Sequence, residues 1–225
     1  MPFVTCIRIK EPVDYTAMLE QQRAIHGAVA SGDIPSTLFL LEHTPTITLG
    51  RNALSEHVLC DSEGLAQAGV KLITTDRGGD VTYHGPGQLV AYPVFDLNQW
   101  KPSVDWYLRT LEETVIHVLD SYSLTGERIS GYTGVWVNGA KVAAIGIAVK
   151  HWITWHGFAL NINPDMEHWR LIIPCGIKNK PVTSLARLLP ETPSIDEVAG
   201  RCVAAFREVF DCEITEIVLE EQKPL

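Results

Sequence analysis

The sequence predicts an α+β fold, a mixed β-sheet with helices packed against it. Three observations carry this. Apolar runs of strand length and longer helical patterns follow one another without regular alternation, which argues against a doubly wound sheet. Asn138-Gly139 separates GVWV from KVAAIGIAV, and a type I′ turn needs positive φ at both central positions, so an antiparallel hairpin is expected there. The 225 residues are 46% hydrophobic, enough to bury a substantial core. One domain over residues 1–225 is expected, with the stretch from about Ser194 the candidate for a small C-terminal subdomain.

Taken in order, residues 3–9 read as a strand. Asp14 is placed to cap a helix over 15–30 that stops at Gly32. Residues 37–43 and 46–49 read as strands on either side of Thr44-Pro45. Residues 62–68 suit a short helix ended by Gly69, and 70–74 a strand. The glycine-rich run RGGDVTYHGPGQ (77–88) reads as a loop, and LVAYPVF (89–95) after it as a strand. Ser103 can cap a helix over 104–121, whose Trp106, Leu108, Leu111, Val115, Val118 and Leu119 fall near helical spacing. The hairpin follows, then a strand over 153–160, a helix over 194–210 and a last strand over 213–218.

Composition excludes several classes. No run approaches the ~20 apolar residues of a membrane span. The charged opening MPFVTCIRIKEP lacks the apolar region of an export signal. A net charge of −9 argues against general affinity for nucleic acid. Five scattered cysteines fit neither a disulfide framework nor a zinc site, and a reducing cytoplasm is the expected setting. His26, His43, His57, His117, His151 and His168 show no metal-ligand spacing, so no metal is expected.

The loop at 77–88 is the richest in chemistry. Four glycines let backbone approach a ligand, and Arg77, Thr82 and His84 add directed donors, so it reads as the wall of a binding site. It is not a Walker or dinucleotide fingerprint: no lysine follows its glycines and no G-x-G-x-x-G opens a helix. His84 is expected to orient a ligand or a neighbouring loop, with His156 a weaker candidate. Cys175, between Pro174 and Gly176, is either presented by a sharp turn or buried as a small hydrophobe. Cys6, Cys60, Cys202 and Cys212 sit in strand or helix patterns and favour the buried reading. Lys141 is the sole charge between Arg128 and Lys150. It lies either at the wet end of the sheet, which its place after the hairpin favours, or in a cleft, where an ammonium would stabilise a nearby thiolate. Trp152 and Trp155 are expected in the core.

These pieces together resemble the lipoyl(octanoyl) transferases, the cysteine-dependent octanoyltransferases of lipoate synthesis. Three blocks carry the resemblance: RGGDVTYHGPGQLVAYPV, GVWVNGAKVAAIGIAVKHWITWHGFALNIN with Lys141, and IIPCGI with Cys175. The resemblance implies the fold of the biotin and lipoate protein ligases. It implies transfer of an octanoyl group from an acyl carrier protein to a lysine of a lipoyl domain, in 2-oxoacid dehydrogenase complexes and the glycine cleavage H protein. Cys175 would carry the group as a thioester beside Lys141, with no cofactor, in a monomer. An acyl pocket is implied from Arg77, Gly78, Gly79, Asp80, Val81, Thr82, Tyr83 and His84, from Ala144, Ile145 and Gly146, and from Gly157, Phe158 and Ala159. The small residues are expected there because they leave a groove for hydrocarbon, with Arg77 holding the loop or facing the carrier. At ~0.8 kcal/mol per methylene, six methylenes would contribute roughly 5 kcal/mol before ordering costs. Backbone N–H groups near Gly176 or on the 77–84 loop are candidates for the oxyanion. Lys178 and Lys180, with Lys150 and Arg51, would form a basic patch for an acidic carrier. The competing readings are an ATP-dependent lipoate or biotin ligase, a lipoyl-domain amidotransferase, and a non-catalytic module that binds acylated carriers.

Overall fold

The structure, a computed structural model, describes residues 1–177 and 180–222. Its large sheet joins both ends of the chain. In spatial order it runs β11 (Glu213–Leu219), β1 (Phe3–Ile9), β2 (Ser36–Leu41), β6 (Gln88–Val94), β10 (Ile153–Asn161), β9 (Ala140–Lys150), β8 (Tyr132–Val137) and β7 (Glu127–Ile129). The β11, β1 and β2 strands are parallel and the rest pair antiparallel. A second sheet of three strands has β3 (Thr46–Leu49) between β4 (Lys71–Thr74) and β5 (Val81–His84).

Side-chain alternation on the large sheet divides the core. Leu38, Leu40, Leu89, Ala91, Phe158 and Leu160 face α3 (Val104–Asp120) and α5 (Ile195–Phe210). Phe39, Leu41, Val90, Tyr92 and Ala159 face the other way, with Met18 and Ile25 of α1 (Tyr15–Ser31). The second sheet lies over part of this face, around its own cluster of Ile47, Leu65, Val81 and Tyr83. The expected caps Asp14, Ser103 and Gly32 are present, and Ser194, read as the first helical residue, is a cap as well. Asp14 accepts from the Thr16 and Ala17 N–H groups, Ser103 from Trp106 and Ser194 from Glu197, and Gly32 ends α1 at φ 79°. Residues after Ser194 are woven into the main layer: β11 pairs with β1, and Cys202, Phe206 and Phe210 pack with Leu111 and Val115 of α3.

The structure departs from expectation at five places. The β5 strand lies inside the run read as loop, because flanking glycines hide a four-residue alternation. The β7 strand and the one-turn α4 (Leu185–Leu188) have no strong local signal. Trp152 is 41% exposed, not in the core. It forms, with His151, the two-residue turn between β9 and β10, and both sit at positive φ (63° and 53°) at the tip of the hairpin. Cys60 lies half-buried in a bend before α2 (Ser62–Gln67), while Cys6, Cys202 and Cys212 are buried as expected.

Candidate active site

A cavity of about 420 Å³ opens between the large sheet and the glycine-rich segment. Its floor is a patch of small residues. Gly146 on β9 pairs with Gly157 on β10, and Ala144 with Ala159. The two alanines line the cavity. The two glycines line it too, and are small for a further reason: a Cβ on Gly146 would lie 2.8 Å from Gly78 O, and one on Gly157 would lie 2.1 Å from Ala91 O. Backbone is packed against backbone there. Arg77, Gly78, Gly79, Asp80, Thr82 and His84 border the cavity, as do Ile145 and Phe158, although these two pack in the α3/α5 cluster. Val81 and Tyr83 do not. They alternate with Thr82 and His84 along β5 and point into the small sheet's own core.

Arg77 holds the loop. The residue is 6% exposed, and its guanidinium donates to Thr48 O, Thr48 Oγ1, Gly78 O and Asp80 O at 2.7–3.1 Å. His84 Nδ1 lies 2.9 Å from Gln88 Oε1, and its ring stacks on Tyr15 at 5.6 Å. The buried end of the cavity is polar and aromatic, with Tyr15, Tyr92, His84 and His156. His156 sits in β10 at φ 57°, out of regular strand geometry, with its N–H donated to Gln22 Oε1 at 2.8 Å. Its Nε2 lies 2.8 Å from Asp76 Oδ1. Burial lowers its pKa, while donors from His156, Trp155 and Arg23 hold Asp76 well below the usual carboxylate range. A neutral imidazole donating Nε2–H to a carboxylate satisfies both. Burial also pushes His84 well down, and His43 down to about 4.

At the mouth, Cys175 and Lys141 meet. Lys141 Nζ donates toward Cys175 Sγ at 3.2 Å. Cys175 occupies a left-handed turn between Pro174 and Gly176 (φ 55°), half-buried, so the presented reading holds over the buried one. Lys141 is 5% exposed, in a cleft and not at a wet sheet end. Its backbone is clamped by the chain leaving the cysteine turn: Lys141 N–H donates to Pro181 O at 2.8 Å, and Thr183 N–H to Lys141 O at 2.9 Å. Its ammonium also sits 4.9 Å above the Trp136 ring.

A bulge decides which face Lys141 uses. Val135 pairs with Ala143 but Trp136 pairs with Lys141, so β9 spends one extra residue against β8. Strict alternation would send Lys141 with Ala143 and Ile145 toward α3. The extra residue turns it to the side of Ala144 and Gly146.

The oxyanion candidates fare less well. Gly176 N–H is committed to Ile173 O and Gly78 N–H to Ile147 O. The turn rests on a second pair, His57 Nδ1 and Asp80 Oδ2, 2.6 Å apart. A Cβ on Gly176 would fall 2.6 Å from that oxygen. The proposed basic patch does not assemble whole. Lys178 lies outside the described residues. Lys180 leans over the Trp136 ring, and Lys150 ends β9 about 30 Å along the strand from Lys141. Arg51 is exposed beside the glycine loop, its N–H bonded to Arg77 O. Sequence reasoning missed Tyr15 and Tyr92 at the buried end of the cavity.

Among the described residues, no three His, Cys, Asp or Glu side chains are grouped to hold a metal, and no helix is long and apolar enough to cross a membrane. The model of the lipoyl protein ligase A/B catalytic domain matches residues 14–207. An octanoyltransferase of Chloroflexus aggregans is 51% identical over 202 residues, covering 88% of this chain and 91% of the relative. The solved structure of lipoate-protein ligase A bound with ATP superposes with a TM-score of 0.81 at 18% identity, over 97% of this chain and 90% of the other. A biotin protein ligase from Aquifex aeolicus superposes at 0.57 and 13% identity, over 92% and 70%. The fold is that of the biotin and lipoate protein ligases. The chain belongs to the lipoyl protein ligase A/B catalytic-domain family, among its octanoyltransferases.

Proposed function

We propose, with that membership as the premise, that this protein moves an octanoyl group from an acyl carrier protein to a lysine of a lipoyl domain by way of a thioester on Cys175. The observation that carries the reading is the 3.2 Å approach of Lys141 Nζ to Cys175 Sγ at the mouth of a cavity floored by Ala144 and Ala159.

The chemistry follows from the atoms in place. Lys141, as an ammonium, favours the thiolate of Cys175. The thiolate attacks the thioester carbonyl of the donor, a new C–S bond forms, and the old one breaks as the tetrahedral intermediate collapses. Lys141 gives its proton to the departing thiolate of the carrier. One thioester has replaced another, so this step is near thermoneutral and needs no ATP. Lys141 is then an amine. It takes a proton from the acceptor lysine as that nitrogen attacks the Cys175 thioester, and the amide forms with Cys175 leaving as thiolate. The amide is the more stable product, and covalent catalysis has divided the transfer into two accessible steps. The acceptors of this reading are the lipoyl domains of 2-oxoacid dehydrogenase complexes and the glycine cleavage H protein. Its setting is the cytoplasm, with the enzyme a monomer.

Intact-mass spectrometry tests it. Mixed with octanoyl carrier protein and no ATP, the protein should gain one octanoyl group that hydroxylamine removes and that Cys175→Ala does not gain. A gain that requires ATP and free octanoate would mean a ligase instead.

A further inference from the structure

One buried carboxylate plays no part in the chemistry above, yet it is joined to the thiol–amine pair by a single peptide group. Besides facing Cys175 Sγ, Lys141 Nζ donates to Thr133 O at 3.1 Å. The other side of that same peptide plane, Gly134 N–H, donates to Glu112 Oε1 at 3.2 Å. Glu112 is 0% exposed on α3. A charge so placed is costly unless compensated, and its other oxygen, Oε2, accepts from Arg109 Nη1 at 2.6 Å and Arg128 Nε at 3.0 Å. The arginines take one oxygen and leave the other to the backbone. Gly134 makes the approach possible. Its φ is 126°, and a Cβ there would lie 2.7 Å from Ala143 O and 3.3 Å from Lys141 Cε.

We propose that Glu112 is a positioning residue for Lys141, acting through the Thr133–Gly134 peptide. By accepting the N–H it fixes where the Thr133 carbonyl points, and by polarising the amide it strengthens that carbonyl as an acceptor. The carbonyl in turn holds the ammonium against Cys175. This inference rests on the Cys175–Lys141 pair being the working pair, and not on the identity of the acyl donor.

The sign of the effect separates positioning from simple charge. Removing an anion near the site, by its field alone, would make the thiolate easier to form and speed alkylation. Loosening the ammonium would slow it. Of the other charged groups about the pair, Arg77 hangs on Thr48 and Asp80 O and Asp80 on His57, while Arg128 ties Glu113 to Glu112 Oε2 and Lys180 shares the Trp136 ring with Lys141.

The test is iodoacetamide alkylation of Cys175 in the full chain across pH, read on the cysteine's own peptide by mass spectrometry. Glu112→Gln keeps the shape without the charge, and Glu112→Asp keeps the charge but withdraws it by one methylene. Both should alkylate about threefold to tenfold more slowly at neutral pH, the range one polar hydrogen bond is worth. The midpoint of the pH profile should rise, and neither substitution should add to Lys141→Ala. Faster alkylation, an unchanged profile, or equal slowing in the Lys141→Ala background overturns the proposal. Should neither carboxylate variant fold, the amide resonance of Gly134 in the Lys141→Ala protein carries the test. It should move with loss of the ammonium, and a resonance that stays put overturns the coupling. Failure to form the octanoyl thioester would defeat the reaction proposed above and leave this alkylation result standing.

Discussion

Replacing Ala144 with leucine should shorten the acyl slot without touching the thiol or the amine. Ala144 is half-exposed to the cavity in the middle of a buried sheet, directly opposite Ala159. It lies about 10 Å along β9 from Lys141, between the mouth and the buried end at Tyr15 and Tyr92. Leucine adds three carbons to that wall. If these displace three methylenes of a bound octanoyl chain, at ~0.8 kcal/mol each, the loss is ~2.4 kcal/mol, or roughly 50-fold in kcat/KM. A butanoyl chain ends before the obstruction and should be transferred nearly as well as by the unmodified enzyme. The assay is kcat/KM for butanoyl, hexanoyl and octanoyl thioesters with a lipoyl-domain acceptor, on protein whose melting temperature is unchanged. The selectivity ratio should fall with chain length. A uniform loss across the three chains, or none, would refute the placement of the hydrocarbon along β9 and β10.

Three further outcomes are expected. Lys141→Ala should slow alkylation of Cys175 at neutral pH by roughly tenfold or more, as for a thiolate losing a cation at contact. Cys6, pushed up to about 12 by burial, and Cys212, up to about 11, should stay unreactive as internal controls; identical pH profiles for mutant and wild type would reject the electrostatic role. Gly176→Ala places a Cβ at φ 68°, 2.6 Å from Asp80 Oδ2 and 2.8 Å from His57 Cε1. The left-handed strain alone costs ~1–2 kcal/mol, a fall in Tm of roughly 2–8 °C by scanning calorimetry, and transfer should drop with it as the thiol is displaced. His43 is fully buried, with Nδ1 2.9 Å from Val13 O and Nε2 2.7 Å from Tyr92 Oη. Its folded pKa of about 4 lies below the ordinary histidine value, so the unfolded chain takes the proton first. Its contribution is therefore complete above pH ~6.5 and is lost as pH falls toward ~4, by about 3 kcal/mol at most. Urea unfolding at a series of pH values should show that slope, and His43→Gln should flatten it.

Much of this fold is legible locally. Asp14, Ser103 and Ser194 mark the helix starts because a side-chain acceptor next to unpaired N–H groups is a short-range matter. Asn138-Gly139 gives its hairpin for the same reason: both φ values are positive, at 50° and 76°. The cysteine turn was legible too, since Pro174 and Gly176 constrain their own backbone. The run at 77–88 announced a site by its chemistry, but the division of labour within it is tertiary. Arg77 is a strut, and Val81 and Tyr83 belong to another core.

The sequence by itself determined which residues carry reactive groups, where most strands and helices begin, and that small residues line part of two neighbouring strands. Tertiary structure alone decided which of those groups meet. Lys141 reaches the cavity only because one extra residue in β9 reverses its face, and strand alternation has a period of two, so a shift of one is invisible to local pattern and total in effect. Gly146 and Gly157 line the cavity as the sequence suggests, and the structure adds that backbone packs against backbone at both. Glu112 was one more acidic residue on a helix until the fold set its carboxylate against the peptide that holds the lysine. The glycine and Glu112 contacts join residues well apart in the chain, and no local preference encodes such a contact; the bulge lies within one hairpin and escapes notice because strand alternation does not mark it.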